Sequence, residues 1–127
     1  MSVIALGTMA FDAIETPFGK IDKIVGGSAT YVAYAASHLV TPVQQISIVG
    51  EDFPLEEMNE LKSRNVQLDG VEIVPGKKSF FWSGKYHMDM NTRDTLITDL
   101  NVLADFNPKV PDSYQGAEFL MLGNLMP

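Results

Sequence analysis

Apolar residues fall along this chain in short runs, and the runs that end in glycine set its plan. Val3–Leu6, Ile46–Val49 and Phe119–Leu122 are largely apolar, and a glycine and a polar residue follow each: Gly7-Thr8, Gly50-Glu51, Gly123-Asn124. Runs of this kind suit strands buried on both faces, as in a parallel sheet. Between the first two runs the period changes. Ala29, Val32, Ala33, Ala36 and Leu39 share one helical face. Gly26-Gly27 precede that helix, Ser28 is its expected cap, and Pro42 closes the region. A second helix is predicted over residues 54–64. Pro54 suits its first position, Glu56 and Glu57 its first turn, Lys62 and Arg64 its far end, and Asn65 its stop. Leu55, Met58 and Leu61 mark its buried face.

The remaining pattern is β-like. Phe11–Glu15 and Ile21–Val25 flank a turn at Thr16-Pro17-Phe18-Gly19-Lys20. Val71–Val74 reads as a strand and Pro75-Gly76-Lys77-Lys78 as a turn. Ser79–Tyr86 is rich in aromatics and reads as a strand, with Gly84 a bulge or close contact. Met88–Asp94 reads as a loop, Thr95–Thr98 as a strand and Val102–Pro111 as irregular. Apolar strands joined through helices predict an α/β fold with a mostly parallel sheet. Residues 11–25 and 71–98 then stand out as inserted β segments, expected to form a flap or lid.

Ligands of such sheets bind beyond the carboxyl ends of the strands. The glycines there let a ligand approach the backbone, and a helix start offers free N–H groups. The same residues also serve an ordinary loop before a capped helix, and at this level both readings stand. Glu51-Asp52 could touch a metal–phosphate network or simply open the second helix. His38 and His87 lack metal-ligand spacing and thiol company, and His38 falls on the polar side of its helix.

Composition narrows the classes. The 127 residues suffice for one modest core, with 46% hydrophobic and 20% charged residues. A net charge of −7 argues against nucleic acid or an anionic membrane as partner. Cysteine is absent, which excludes disulfides and thiolate metal sites and fits a reducing, cytoplasmic setting. The N-terminal apolar run is too short for a signal peptide, and no stretch reaches the length of a membrane span. No P-loop or Ser/His/Asp arrangement is visible.

Taken together, several pieces resemble the N-terminal part of the ribokinase-like (PfkB) carbohydrate and nucleoside kinases. They are Val3-Ile4-Ala5-Leu6-Gly7 with Asp12 shortly after, Gly26-Gly27 opening an Ala-rich helix, and Ile48-Val49-Gly50-Glu51-Asp52. The resemblance implies a three-layer Rossmann-like core with a small β lid. It implies that Asp12 holds substrate hydroxyls and that Gly26 and Gly27 line the same pocket. Tyr31 stands where many members have asparagine, which departs from a plain ribose-like site. Trp82 and Tyr86 would be lid residues able to stack on a sugar or base, with Asp89, Asn91 and Arg93 facing substrate. Gly123-Asn124 resembles strand ends near the phosphate path, so Asn124 joins the candidate substrate residues.

The implied activity is that of an ATP- and Mg²⁺-dependent sugar kinase, with a nucleoside kinase as the alternative. A third reading, of another class, is a non-catalytic binding module that pairs with a second copy through its lid. The family's Gly-Ala-Gly-Asp signature, which supplies an anion-binding helix start and the base, does not occur here. The catalytic base is therefore expected beyond Pro127, the chain is expected to be the substrate-binding part of a longer protein, and alone it is expected to be inactive.

Overall fold

A computed structural model describes residues 1–125. The elements run β1 (Val3–Leu6), β2 (Ala10–Thr16), β3 (Gly19–Gly26), α1 (Ser28–Ser37), β4 (Val43–Gly50), α2 (Leu55–Ser63), β5 (Val66–Val74), β6 (Phe80–Tyr86), β7 (Arg93–Asp99) and β8 (Phe119–Leu122). Short 3-10 turns at Asn101–Asp105 and Asp112–Tyr114 lie between β7 and β8.

The strands form two four-stranded sheets. The first has the order β5-β4-β1-β8 and is parallel throughout. Successive side chains point to opposite faces, so one face carries Ala5, Val43 and Val49 and the other Ile4 and Ile46. The first face receives Ala29 and Ala33 of α1 and Met58 and Leu61 of α2. The other is filled by Tyr114, with Phe106 and Ala117 beside it. The Tyr114 hydroxyl donates its one proton to the Gln67 carbonyl (2.7 Å), with the Gln45 carbonyl also in reach (3.1 Å), and accepts from Gly70 N–H (3.0 Å). This gives the buried ring a satisfied polar end.

The second sheet has the order β3-β2-β6-β7, with β2 and β6 parallel and the outer pairs antiparallel. The chain enters it through Thr8–Ala10 and leaves through Gly26-Gly27; it enters again through Ser79 and leaves through Asn101. Among the described residues no helix is long and apolar enough to cross a membrane.

Several expectations need correction. Val71–Val74 belong to β5 and pair with β4 in the first sheet, because β5 begins earlier, at Val66, and runs straight through. Leu39 is 85% exposed, since α1 stops at Ser37 and leaves it beyond the packed face. Leu55 is 69% exposed at the start of α2, before the helix lies over the sheet. Pro54 is the residue before α2, not its first helical position. Phe119–Leu122 do form a strand, but all four residues are exposed, because β8 is the edge of its sheet and nothing described covers either face.

Candidate functional site

The register sets the site. Leu6 of β1 pairs with Leu122 of β8, so Gly7 and Gly123 lie level at the carboxyl ends of neighbouring strands. Both abut the Ser28 hydroxyl, and a Cβ on either would collide with it. The structure therefore revises the expected role of Ser28. Gly27 is the N-cap, Ser28 is the first helical residue, and its side chain makes no cap hydrogen bond. Instead Ser28 Oγ accepts the backbone N–H of Thr8 (3.4 Å) and of Asn124 (3.2 Å). Thr8 Oγ1 accepts Ser28 N–H (3.2 Å) and donates to Asn124 Oδ1 (2.9 Å). Two strand ends and a helix start are thus tied together.

The second sheet stands over that junction. Asp12 of β2 and Trp82 of β6 are paired in register, as are Tyr86 and Arg93 across β6 and β7. A cavity of about 340 Å³ lies between sheet and junction, within the size range of small-molecule sites. Its floor is Thr8, Gly27, Ser28 and Asn124; Tyr31 of α1 stands at one side; Ala10, Asp12, Phe80, Trp82, Tyr86 and Arg93 come from the second sheet. A larger hollow of about 580 Å³ lies between β5 and residues 105–111. It contains none of the sequence-predicted site residues and lies away from the glycine-bearing ends of β1 and β8.

Of the residues singled out from sequence, Asp12, Gly27, Tyr31, Trp82, Arg93 and Asn124 all line the one cavity. Gly26, expected to line the pocket, is not among the cavity's lining residues; it lies against Asp12, where a Cβ would fall on the carboxylate. Among the described residues, the Asp12 side chain has no hydrogen-bond or ion-pair partner, and burial raises its pKa above 3.8. The Arg93 guanidinium carbon lies 5.5 Å from the Trp82 ring centroid, a cation–π distance. Trp82 Nε1–H donates to Thr95 Oγ1 (3.3 Å), and the indole lies over Gly84, where no side chain would fit. Gly84 also adjoins a register shift, so both expected roles occur together.

Other candidates fall elsewhere. Arg93 is the first residue of β7 and not a loop residue. Asp89 and Asn91 do not line the cavity. Asp89 Oδ1 holds its own loop, accepting from Asn91 N–H (3.0 Å), Thr92 N–H (3.1 Å) and Thr92 Oγ1 (3.0 Å), which lowers its pKa. Asp52 is taken up by Ser79, whose N–H and Oγ both donate to its Oδ1 at 2.8 Å. Thr8 and Phe80 were missed. Thr8 follows a strand-end glycine, which was the available signal; Phe80 read only as part of an apolar strand.

No family model matches the chain. A cytidine kinase of Thermococcus kodakarensis is 31% identical over 77 residues, covering 61% of this chain and 27% of that protein. Among solved structures, Halothermothrix orenii fructokinase superposes with a TM-score of 0.72 at 20% identity, over 96% of this chain and 46% of its own. Methanocaldococcus jannaschii nucleoside kinase, an archaeal member of the ribokinase family, gives 0.71 at 18%, over 97% and 45%. The Burkholderia thailandensis nucleoside kinase gives 0.66 at 16% with inosine bound, over 80% and 37%, and is also similar in its ADP-inosine complex. The chain spans less than half the length of each. The chain thus shares the ribokinase-like fold of these carbohydrate and nucleoside kinases.

Proposed function

We propose that the cavity binds the phosphoryl-acceptor nucleoside of an ATP-dependent kinase. One observation carries this reading: the unpartnered Asp12 carboxylate shares a single cavity with Tyr31, Trp82 and Tyr86. An ionised carboxylate accepts from two vicinal hydroxyls at once, as a ribose presents them. Aromatic faces of this area hold a planar base. A free sugar would leave most of that wall unused, which favours the nucleoside over the sugar reading drawn from sequence. The cytidine kinase likeness and the inosine complex of the Burkholderia enzyme support the same choice.

The donor in this reading is ATP, supported by the ADP-inosine complex of that similar enzyme. Mg²⁺ accompanies the donor in this reading, and among the described residues no group of three or more His, Cys, Asp or Glu side chains could hold a metal ion. These residues bind and orient an acceptor. No Gly-x-Gly-Asp occurs in the chain, and the chain alone is expected to bind nucleoside without phosphorylating it. A second copy is our proposed partner for β7, an edge strand whose seven residues are all exposed.

The test is calorimetric titration with cytidine, inosine, ribose and fructose. A nucleoside is expected to bind at least tenfold more tightly than either sugar, about 1.4 kcal/mol, and to lose that advantage in Asp12→Asn. Sugars binding as well as nucleosides would remove the base from the proposal. Binding indifferent to Asp12→Asn would remove the carboxylate.

A further inference from the structure

We propose that Thr8 is a positioning residue: it fixes the Asn124 carboxamide so that the amide offers the ligand a hydrogen-bond donor. The proposal rests on the reading that the cavity takes the phosphoryl acceptor. Thr8 is 2% exposed and sits immediately after the glycine that ends β1. Its Oγ1 accepts from Ser28 N–H at 3.2 Å. A backbone N–H can only donate, so the direction of that bond is fixed. A buried hydroxyl must still place its own proton. Among the described residues the acceptor in reach is Asn124 Oδ1, at 2.9 Å.

The consequence is an amide with one end used. With Oδ1 held by Thr8, Nδ2 has no hydrogen-bond partner among the described residues and belongs to a residue that lines the cavity. The Asn124 backbone is held as well, by Ser28 Oγ at 3.2 Å. The same Oγ takes Thr8 N–H at 3.4 Å. Both acceptor directions of Ser28 are thereby spent, and its remaining capacity is its own proton. The cavity lining then carries two opposite hydrogen-bonding chemistries. Asp12 accepts; Asn124 Nδ2 and Ser28 Oγ–H donate. A polyol-bearing ligand fits this polarity one way round, with hydroxyls toward Asp12 and an acceptor oxygen toward Asn124.

The test is a double-mutant cycle on the intact protein, with cytidine, inosine and ribose as titrants. Thr8→Val keeps the side-chain shape and removes the hydroxyl. It is expected to weaken binding about tenfold, the scale of one oriented hydrogen bond. Thr8→Ser restores the hydroxyl and should return binding to within about twofold of wild type. The double variant Thr8→Val with Asn124→Ala should bind no more weakly than Asn124→Ala alone, because Thr8 acts through Asn124. Additive losses, or full-strength binding by Thr8→Val, overturn the proposal.

A ligand-free readout separates this outcome from failure of the functional reading. The Asn124 side-chain amide pair in ¹⁵N–¹H spectra, identified by its loss in Asn124→Ala, should shift in Thr8→Val and return in Thr8→Ser. If it does so while no titrant binds wild type, the nucleoside reading fails and the lock stands. An amide pair indifferent to Thr8 overturns the lock whatever binds. Should Thr8→Val not fold, the wild-type Thr8 hydroxyl proton decides. Seen in slow exchange, it supports the lock; if it exchanges too fast to observe, the lock is overturned.

Discussion

Asp12 of β2 is the register partner of Trp82 of β6, so a carboxylate and an indole stand side by side on the cavity face of the second sheet. The two strands are parallel neighbours, and residues in register on such strands point to the same face. Backbone pairing therefore holds together the two groups that would meet a ribose and a base.

Asp12→Asn is expected to stabilise the ligand-free protein at neutral pH while weakening nucleoside binding. Burial raises the Asp12 pKa above 3.8, so the folded state holds this proton more tightly than the unfolded chain does. The stability it contributes is present below the unfolded value and is lost as pH rises through the folded one. At neutral pH the ionised carboxylate is thus a cost that asparagine does not bear. Thermal melts between about pH 4 and pH 8 should show a gain for Asp12→Asn that shrinks toward the acid end. A gain that is flat with pH, or a loss at pH 7, would contradict the burial argument.

Gly26 and Gly27 are adjacent, yet alanine should act differently at each. At Gly26 a Cβ would fall on the Asp12 carboxylate, the end of a side chain that can swing away. Gly26→Ala should therefore displace the carboxylate and weaken ligand binding, with a smaller effect on folding. At Gly27 the backbone has φ +98°, and a Cβ would strike the Thr8 carbonyl. Neither can move aside cheaply, so Gly27→Ala should cost about 1–3 kcal/mol of stability. Urea denaturation and ligand titration on both variants separate the two effects; equal stability losses would refute the distinction.

The same pair shows what could be read from the chain and what could not. The glycine doublet and the strand-end glycines stand out in the sequence because each interrupts a local pattern. Asp12 and Tyr31 stand out only through the resemblance to the ribokinase-like kinases, and Trp82 as an aromatic of the segment which that resemblance makes a lid. Thr8 does not stand out, because a threonine after a strand looks ordinary until β8 and α1 arrive beside it. Ser28 read as a helix cap, since spacing alone cannot distinguish a residue before the first turn from one within it. Strand β8 read as buried because apolar sequence reports what a strand can bury, and its position at a sheet edge depends on long-range pairing. Leu39 and Leu55 lie at helix ends, where the period continues but the packing surface does not.

Ser79 should be a hinge on which the second sheet depends. It is 1% exposed; its Oγ accepts Gly50 N–H (2.9 Å) while its N–H and Oγ donate to Asp52. Its carbonyl accepts Asn101 Nδ2–H (2.9 Å) where the chain leaves the sheet. Ser79→Ala leaves the buried Gly50 N–H unpaired and should cost about 1–3 kcal/mol. Amide hydrogen exchange should then rise in β6 and β7 more than in β1 and β4. Uniform acceleration across both sheets would show that Ser79 serves global stability and not the crossing.

Trp82 offers a direct reading of occupancy because it is the chain's single tryptophan and lines the cavity. The Arg93 guanidinium already rests 5.5 Å from its ring centroid, so the free protein begins with a cation against the indole. A nucleobase stacking there must displace the guanidinium or insert beside it, and either changes indole emission. Binding of cytidine or inosine is therefore expected to alter Trp82 fluorescence saturably, with the same midpoint as calorimetry. Ribose should leave the emission almost unchanged, because it reaches Asp12 without covering the ring. Arg93→Ala should shift the emission of the free protein and reduce the change on nucleoside binding. If ribose and nucleoside alter the signal equally, the indole reports closure of the second sheet and not stacking, and the aromatic wall loses its role as the base-recognition surface.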